Sequence, residues 1–112
     1  MKRIDLIFEH IKEDCIDIQT FTRGISKDEF LNNTMLKKAI CMSLINIGEL
    51  VKTLPQEFYE NYPQLPWRRI SGMRDIVAHK YKTLDMDAVW EVVIVRIPEI
   101  LSFIQNTFED QK

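Results

Sequence analysis

The segment 36–51, LKKAICMSLINIGELV, decides the fold class, because its apolar residues recur every three or four positions. The residues that share this spacing are Leu36, Ile40, Leu44, Ile47 and Val51. Such a pattern lines one side of an α-helix, whereas a half-buried strand would alternate apolar and polar residues. Asn33 or Thr34 can cap this helix and Pro55 ends it. Gly48 lies inside it at a cost of about 1 kcal/mol relative to Ala, which close helix packing would explain.

The same spacing continues toward the N-terminus and predicts a first helix from Lys2 to about Arg23. Its apolar stripe consists of Ile4, Ile7, Phe8, Ile11, Cys15 and Ile18. Gly24 suits the position after the end of this helix. Ser26 and Glu29 then match a capping box, in which each side chain binds the other residue's backbone amide. A short helix is therefore expected directly before the central one.

Toward the C-terminus, two further helices are expected. Residues 56–66 predict a connection with about one helical turn, and Pro66 suits the first position of a helix that ends near His79. Asp85 can cap a last helix. Its apolar residues form a heptad-like seam of Trp90, Ile94, Ile97, Leu101, Ile104 and Phe108. Pro98 interrupts this helix and should bend it near residues 94–97.

The whole chain of 112 residues is predicted to be one domain, residues 1–112, that folds as an all-α up-and-down bundle of four or five helices. With 46% hydrophobic and 29% charged residues, the composition excludes collagen-like and disordered chains. The N-terminus does not resemble a signal sequence, and no segment has about 18 uninterrupted apolar residues, so no membrane partner is expected. Cys15 and Cys41 lack the spacing of a zinc or redox pair and predict reduced core thiols in a cytoplasmic protein.

The charge is distributed unevenly along the sequence. The net charge of −2 argues against a protein that holds nucleic acid by bulk positive charge. Residues 68–82, however, contain five Lys or Arg residues and a single acid, Asp75, whereas the first helix is acidic and should repel phosphate. The basic stretch is either a binding surface or an ordinary solvated helix face.

The candidate chemical groups lie in the segment 74–81, RDIVAHKY, which contains a guanidinium (Arg74), an imidazole (His79) and a phenol (Tyr81). A guanidinium binds phosphate oxygens, and an imidazole transfers protons near neutral pH. Together they would let an RNA 2′-hydroxyl attack its own phosphodiester without a metal and leave a cyclic phosphate. The sequence has no phosphate-binding glycine loop and no cluster with metal-ligand spacing, so neither cofactor nor metal is expected. His10, on the acidic helix, is expected to face solvent.

Arg74 and His79 do not share one side of a helix. Five residues correspond to about 7.5 Å of rise and roughly 140° of rotation. The two groups converge only if Arg74 extends along the helix toward a frayed end at His79, or if a second copy brings its own pair to the same cleft. The second possibility predicts a dimer, for which the seam of the last helix could supply a surface. The alternative is that Arg74 pairs with an acid and His79 caps carbonyl groups.

Arg74-x4-His79-x-Tyr81 resembles the R-x4-H-x-Y motif of HepT-like toxins in the HEPN superfamily. Asp75 fits the polar residue that the superfamily usually places after the arginine. The similarity covers nearly the whole chain. It includes Ile47-Gly48-Glu49, Pro66-Trp67-Arg68, Ile70, Gly72-Met73-Arg74, Trp90 and Pro98.

The resemblance implies a homodimeric HEPN-like helical domain in which two motifs face one cleft. It further implies a metal-independent endoribonuclease that is the toxin of a type VII toxin–antitoxin system, with an antitoxin that resembles a minimal nucleotidyltransferase and attaches AMP to the motif tyrosine. Arg74 and His79 would then be catalytic, Asp75 supporting and Tyr81 modified. The candidate RNA contacts are Arg68, Arg69, Lys80 and Lys82. The expected partners are RNA, the antitoxin and a second copy, and no DNA is expected.

Two other functions remain open from the sequence. The protein would be a non-catalytic helical partner of a nucleotidyltransferase, or a dimer that binds a nucleotide, if the motif residues cleave nothing. It would be a scaffold dimer if all three motif residues are dispensable. Tyr81 taken alone predicts a half-buried aromatic residue whose hydroxyl finds a hydrogen-bond partner. The methionines and aromatics Met35, Met42, Met73, Phe30 and Trp90 are expected to be packing residues without a cofactor role.

Overall fold

The computed structural model describes residues 3–109, which form helices and no strand. The helices are α1 (Arg3–Thr22), α2 (Lys27–Leu31), α3 (Thr34–Lys52), α4 (Gln56–Asn61), α5 (Trp67–Lys80), α6 (Met86–Glu91) and α7 (Ile97–Ile104). A 3-10 turn follows α5 at Tyr81–Thr83, and π-helical turns follow α6 at Val92–Arg96 and α7 at Gln105–Glu109. The predicted all-α bundle is therefore confirmed. The predicted helix start at Lys2 lies outside the described residues.

The central helix α3 packs against α5 and α1, and α7 packs on α1. The stripes predicted for α1 and α3 are the inward faces of these helices, with all but the partly buried Ile4 fully inside the core. Cys15 and Cys41 are free and buried, as predicted, and burial raises the pKa of their thiols to about 12 and about 11. Within the described range, no helix is both long enough and apolar enough to cross a membrane.

The predicted caps define where the helices begin. Ser26 accepts a hydrogen bond from the Glu29 amide while the Glu29 carboxylate accepts one from the Ser26 amide, which forms the capping box. Asn33 accepts from the Leu36 amide, and Asp85 accepts from two amides at the start of α6. Each contact satisfies backbone donors that a helix start leaves unpaired.

An aromatic cluster joins the N-terminal and C-terminal helices. Its members are Phe8, Phe58, Tyr62, Trp67, Phe103 and Phe108. The Trp67 Nε1–H donates a 2.6 Å hydrogen bond to the Tyr62 carbonyl, so the indole nitrogen is paired although the side chain is buried. This contact fixes the first turn of α5. The helix begins at Trp67, and Pro66 occupies the capping position rather than the predicted first helical position.

The predicted seam of the last helix is partly wrong. The buried residues are Val89, Val93, Ile97, Ile100, Phe103 and Ile104, whereas Ile94 is 51% exposed. Both sets fit a helical spacing because residues 92–95 are all apolar and β-branched. The heptad pattern predicted that the side with Ile94 is buried, whereas the bundle buries the side with Val93.

Pro98 disturbs the last helix where expected. Lacking an N–H, it cannot donate to the carbonyl four residues earlier. The chain responds with the π-helical turn Val92–Arg96 directly before α7.

Two methionines predicted to pack are instead on the surface. Met35 is 80% exposed and Met42 is 57% exposed. Both lie on the side of α3 opposite its buried stripe, so their apolar character did not indicate burial. Met73, Phe30 and Trp90 do contact the core as expected.

Gly48 marks the closest approach of α3 to α5. A Cβ atom at this position would lie 2.9 Å from both the Cβ and the backbone nitrogen of Arg74. Only glycine therefore permits this separation, which confirms the predicted reason for a glycine inside the helix. Gly72 on α5 is different, because a Cβ there would meet no atom within 4 Å.

Candidate functional site

The motif residues lie along α5 and just beyond its end. Arg74 and Asp75 are in the middle of the helix, His79 is in its last turn, and Tyr81 begins the 3-10 turn. The predicted position of His79 at a helix end is correct. The packing of α5 on α3 determines which of these side chains face the bundle and which face solvent.

Arg74 faces α3 and is held by two acids. Its Nε atom lies 2.5 Å from Glu49 Oε1 on α3, and its Nη1 atom donates to Asp75 Oδ1 at 3.2 Å. The side chain is 35% exposed. Nε itself is fully buried and makes no directional hydrogen bond with the described residues, so the nearby carboxylate compensates it by charge. The expected alternative, that Arg74 pairs with an acid, is confirmed.

Asp75 links Arg74 to a second cation. Its Oδ1 atom also accepts a 3.1 Å hydrogen bond from Lys52 Nζ on α3. Hydrogen bonds from Lys52 and Arg74 lower the pKa of the Asp75 carboxyl, which therefore stays ionised near neutral pH. Glu49, Arg74, Asp75 and Lys52 together form a charge-balanced chain across the two helices.

His79 is exposed and lies in the last turn of α5, about one turn after Asp75. Its side chain makes no hydrogen bond or ion pair with any residue between 3 and 109, so the alternative that it caps carbonyl groups is wrong. Arg74 and His79 also make no polar contact with each other within one chain. An imidazole in this setting is available to an external group.

Tyr81 is half-buried against the core beside Cys41. Burial raises the pKa of its phenol, so the hydroxyl is neutral at physiological pH. The prediction that this hydroxyl finds a partner is not met in the described part of the chain, where it makes no hydrogen bond. The ring packs against the core, and its hydroxyl is two residues along the chain from His79.

The candidate RNA contacts lie at both ends of α5. Arg68, Arg69, Lys80 and Lys82 are exposed, and none pairs with an acid in the range that the structure describes. Arg68 and Lys80 are twelve positions apart, which corresponds to about 18 Å of helix. Arg68, Gly72, Asp75 and His79 follow one side of α5, where the missing side chain of Gly72 leaves the surface open.

A second surface of the molecule is mainly acidic. A groove of about 650 Å³ between α1 and the C-terminal residues has as its charged lining Asp5, Glu9, Glu13, Glu109 and Lys12, which pairs with Glu109. His10 lies nearby, exposed as predicted and 3.7 Å from Glu13. The excess of negative charge disfavours phosphate at this groove. No three His, Cys, Asp or Glu side chains within residues 3–109 lie close enough together to hold a metal ion.

Glu49 and Lys52 belong to the site although the sequence assigned them no role. Both lie on α3, more than twenty residues before the motif, and they reach it only because Gly48 brings the helices together. The only local sign of this contact in the sequence is a glycine followed by a charged residue inside a long helix, Gly48-Glu49. This sign does not show that Arg74 is the residue with which Glu49 pairs.

The chain is similar to several proteins named as ribonucleases. A family model described as "Ribonuclease HepT-like" matches residues 11–107. "Putative RNase TTE0752" from Caldanaerobacter subterraneus subsp. tengcongensis is 36% identical over 93% of each chain. "Putative RNase MJ0127" from Methanocaldococcus jannaschii is 37% identical over 89% of this chain and 83% of its own. "Probable ribonuclease HepT" from Thermococcus cleftensis is 35% identical over 82% of this chain and 84% of its own.

No solved structure matches the chain significantly. The family model and the relatives nevertheless agree on one assignment. The range that the family model matches, residues 11–107, includes the motif segment. The chain belongs to the HepT-like ribonuclease family.

Proposed function

We propose that this protein is a metal-independent endoribonuclease and the toxin of a type VII toxin–antitoxin pair in the cytoplasm. The observation that carries the proposal is the exposed imidazole of His79, which has no partner among the described residues and lies on the same helix as Arg74. Exposed cations lie at both ends of this helix. Membership of the HepT-like ribonuclease family supports RNA as the substrate.

The proposed reaction uses the RNA strand's own 2′-hydroxyl. The 2′-oxygen forms a bond to phosphorus and loses its proton to solvent water, and the bond from phosphorus to the 5′-oxygen breaks. Protonated His79 donates to that leaving oxygen, and the Arg74 guanidinium stabilises the charge that accumulates on the phosphoryl oxygens. The products are a 2′,3′-cyclic phosphate and a 5′-hydroxyl.

The proposed active form is a homodimer with one composite cleft. Arg74 is turned toward α3 and His79 toward solvent, so one copy does not bring the two groups together by direct contact. A second copy facing α5 would add its own imidazole and guanidinium. A symmetric contact of this kind completes the site with both motifs.

Tyr81 is the proposed modification site. A nucleotidyltransferase antitoxin would join the Tyr81 oxygen to the α-phosphorus of ATP and release pyrophosphate. The hydroxyl is suited to this because it has no hydrogen-bond partner among the described residues. The attached AMP would place a bulky anion beside His79, where it blocks the cleft and repels RNA phosphate.

The proposed activity predicts cleavage of RNA in EDTA. Purified protein should cut a mixed-sequence RNA at the same rate with and without the chelator, because the groups assigned to the reaction are protein side chains. Mass spectrometry of the fragments should find cyclic phosphate ends. Product ends that carry a 3′-hydroxyl, or activity that EDTA removes and Mg²⁺ restores, would contradict the proposal.

A second candidate function is binding without catalysis. The engagement of Arg74 by Glu49 and Asp75 favours it, because a neutralised guanidinium is less available to RNA. In that case the protein would form a complex with a nucleotidyltransferase and turn over no RNA at any concentration. Growth arrest on overexpression that Arg74→Ala relieves would count against this function.

A further inference from the structure

Glu49 on α3 and Asp75 on α5 contact different nitrogens of the Arg74 guanidinium. Glu49 Oε1 approaches the Nε side of the guanidinium, which is buried, and Asp75 binds Nη1. Nη2 makes no hydrogen bond with the described residues. The two carboxylates therefore contact two different nitrogens of the planar group, and neither of them binds Nη2.

We propose that Glu49 is a positioning residue that orients the Arg74 guanidinium so that its Nη2 group can donate to the RNA phosphate. This inference rests on the proposed ribonuclease function. An arginine side chain has many rotamers, and a group that must meet a phosphoryl oxygen gains from being held in one of them. Asp75 alone fixes one nitrogen, whereas the Glu49 carboxylate adds a second point of restraint.

The arrangement is built into the contact between α3 and α5. Gly48 allows the backbone of Arg74 to lie against α3, and the next residue, Glu49, then reaches the guanidinium. Lys52, one turn further along α3, holds Asp75 in place. One turn of α3 thus determines both the position of the Arg74 backbone and the orientation of its guanidinium.

The two carboxylates also have an electrostatic effect. They reduce the attraction of Arg74 for any phosphate, so Glu49 should not strengthen substrate binding in the ground state. Its contribution should instead appear in the chemical step, where the orientation of the guanidinium determines the stabilisation of developing charge. A residue that served only to bind RNA would affect KM.

The test is a steady-state comparison of Glu49→Ala, Glu49→Gln and the control Glu60→Ala, an exposed glutamate on α4. We expect Glu49→Ala to lower kcat by about 10- to 100-fold without raising KM. Glu49→Gln keeps the size of the side chain but removes the charge that compensates the buried Nε, so it should lower kcat to a similar extent. A Glu49→Ala variant with unchanged kcat, or one with only a raised KM, overturns the inference.

A second measurement, made without RNA, tests whether the Arg74 guanidinium is held in one orientation. The Arg74 Nε–H signal in a nitrogen–proton NMR spectrum, assigned by its absence in Arg74→Lys, should be sharp in the wild type and broadened in Glu49→Ala. A signal that Glu49→Ala leaves unchanged overturns the inference. If the wild type cuts no RNA, the proposed function fails, and this spectrum still decides whether Glu49 fixes the guanidinium.

Discussion

Replacing His79 by Ala should lower the rate of RNA cleavage by about 10²- to 10⁴-fold, the usual contribution of a proton-transferring side chain. The variant should remain folded, because the imidazole is exposed and makes no polar contact with the described residues. Cleavage of a defined RNA measures the rate, and circular dichroism during thermal unfolding measures the stability.

The control for this experiment is His10→Ala. His10 is the other histidine of the chain, also exposed, and it lies on the acidic helix α1 beside Glu13. Its removal should leave cleavage unchanged. If the two variants cleave RNA equally well, His79 has no part in the reaction and the proposed mechanism is wrong.

Two glycines in helix interiors should respond oppositely to alanine. Gly48→Ala should lower the free energy of unfolding by about 1–2 kcal/mol, because the added Cβ meets the backbone of Arg74 and forces α5 away from α3. Gly72→Ala should raise that free energy by about 0.5–1 kcal/mol, because its Cβ enters open space and alanine favours the helix.

Urea denaturation at one fixed protein concentration measures both changes and prevents a shift in association from being mistaken for one in folding. Each variant is the control for the other, since both carry the same substitution in the middle of a long helix. Equal stabilisation by the two alanines would show that α3 and α5 are not in close contact at Gly48. The restraint on Arg74 would then lose its structural basis.

Local patterns in the sequence predicted most of the helices. The stripe from Leu36 to Val51 and the caps at Ser26 and Asp85 depend on residues within one or two helical turns, and the structure confirms them. The motif spacing likewise placed His79 at the end of a helix. These features need no information about distant parts of the chain.

Features that depend on how helices meet were not predictable. Residues 92–95 could have turned either edge inward, and only packing within the bundle decides that Val93 is buried and Ile94 exposed. The pairing of Arg74 with Glu49 is of the same kind, since it joins residues twenty-five positions apart through the contact at Gly48. A single sequence gives the residues of such a pair but not their contact.

The most direct test of the composite cleft mixes two inactive variants, Arg74→Ala and His79→Ala, and confirms by native mass spectrometry that they form heterodimers. A heterodimer retains one Arg74 and one His79, contributed by different chains. If these groups act together across the dimer, the mixture should cleave RNA far faster than either variant alone. Verified heterodimers that cleave no faster than their parents would contradict the central claim, that Arg74 of one copy and His79 of the other act on the same RNA phosphate.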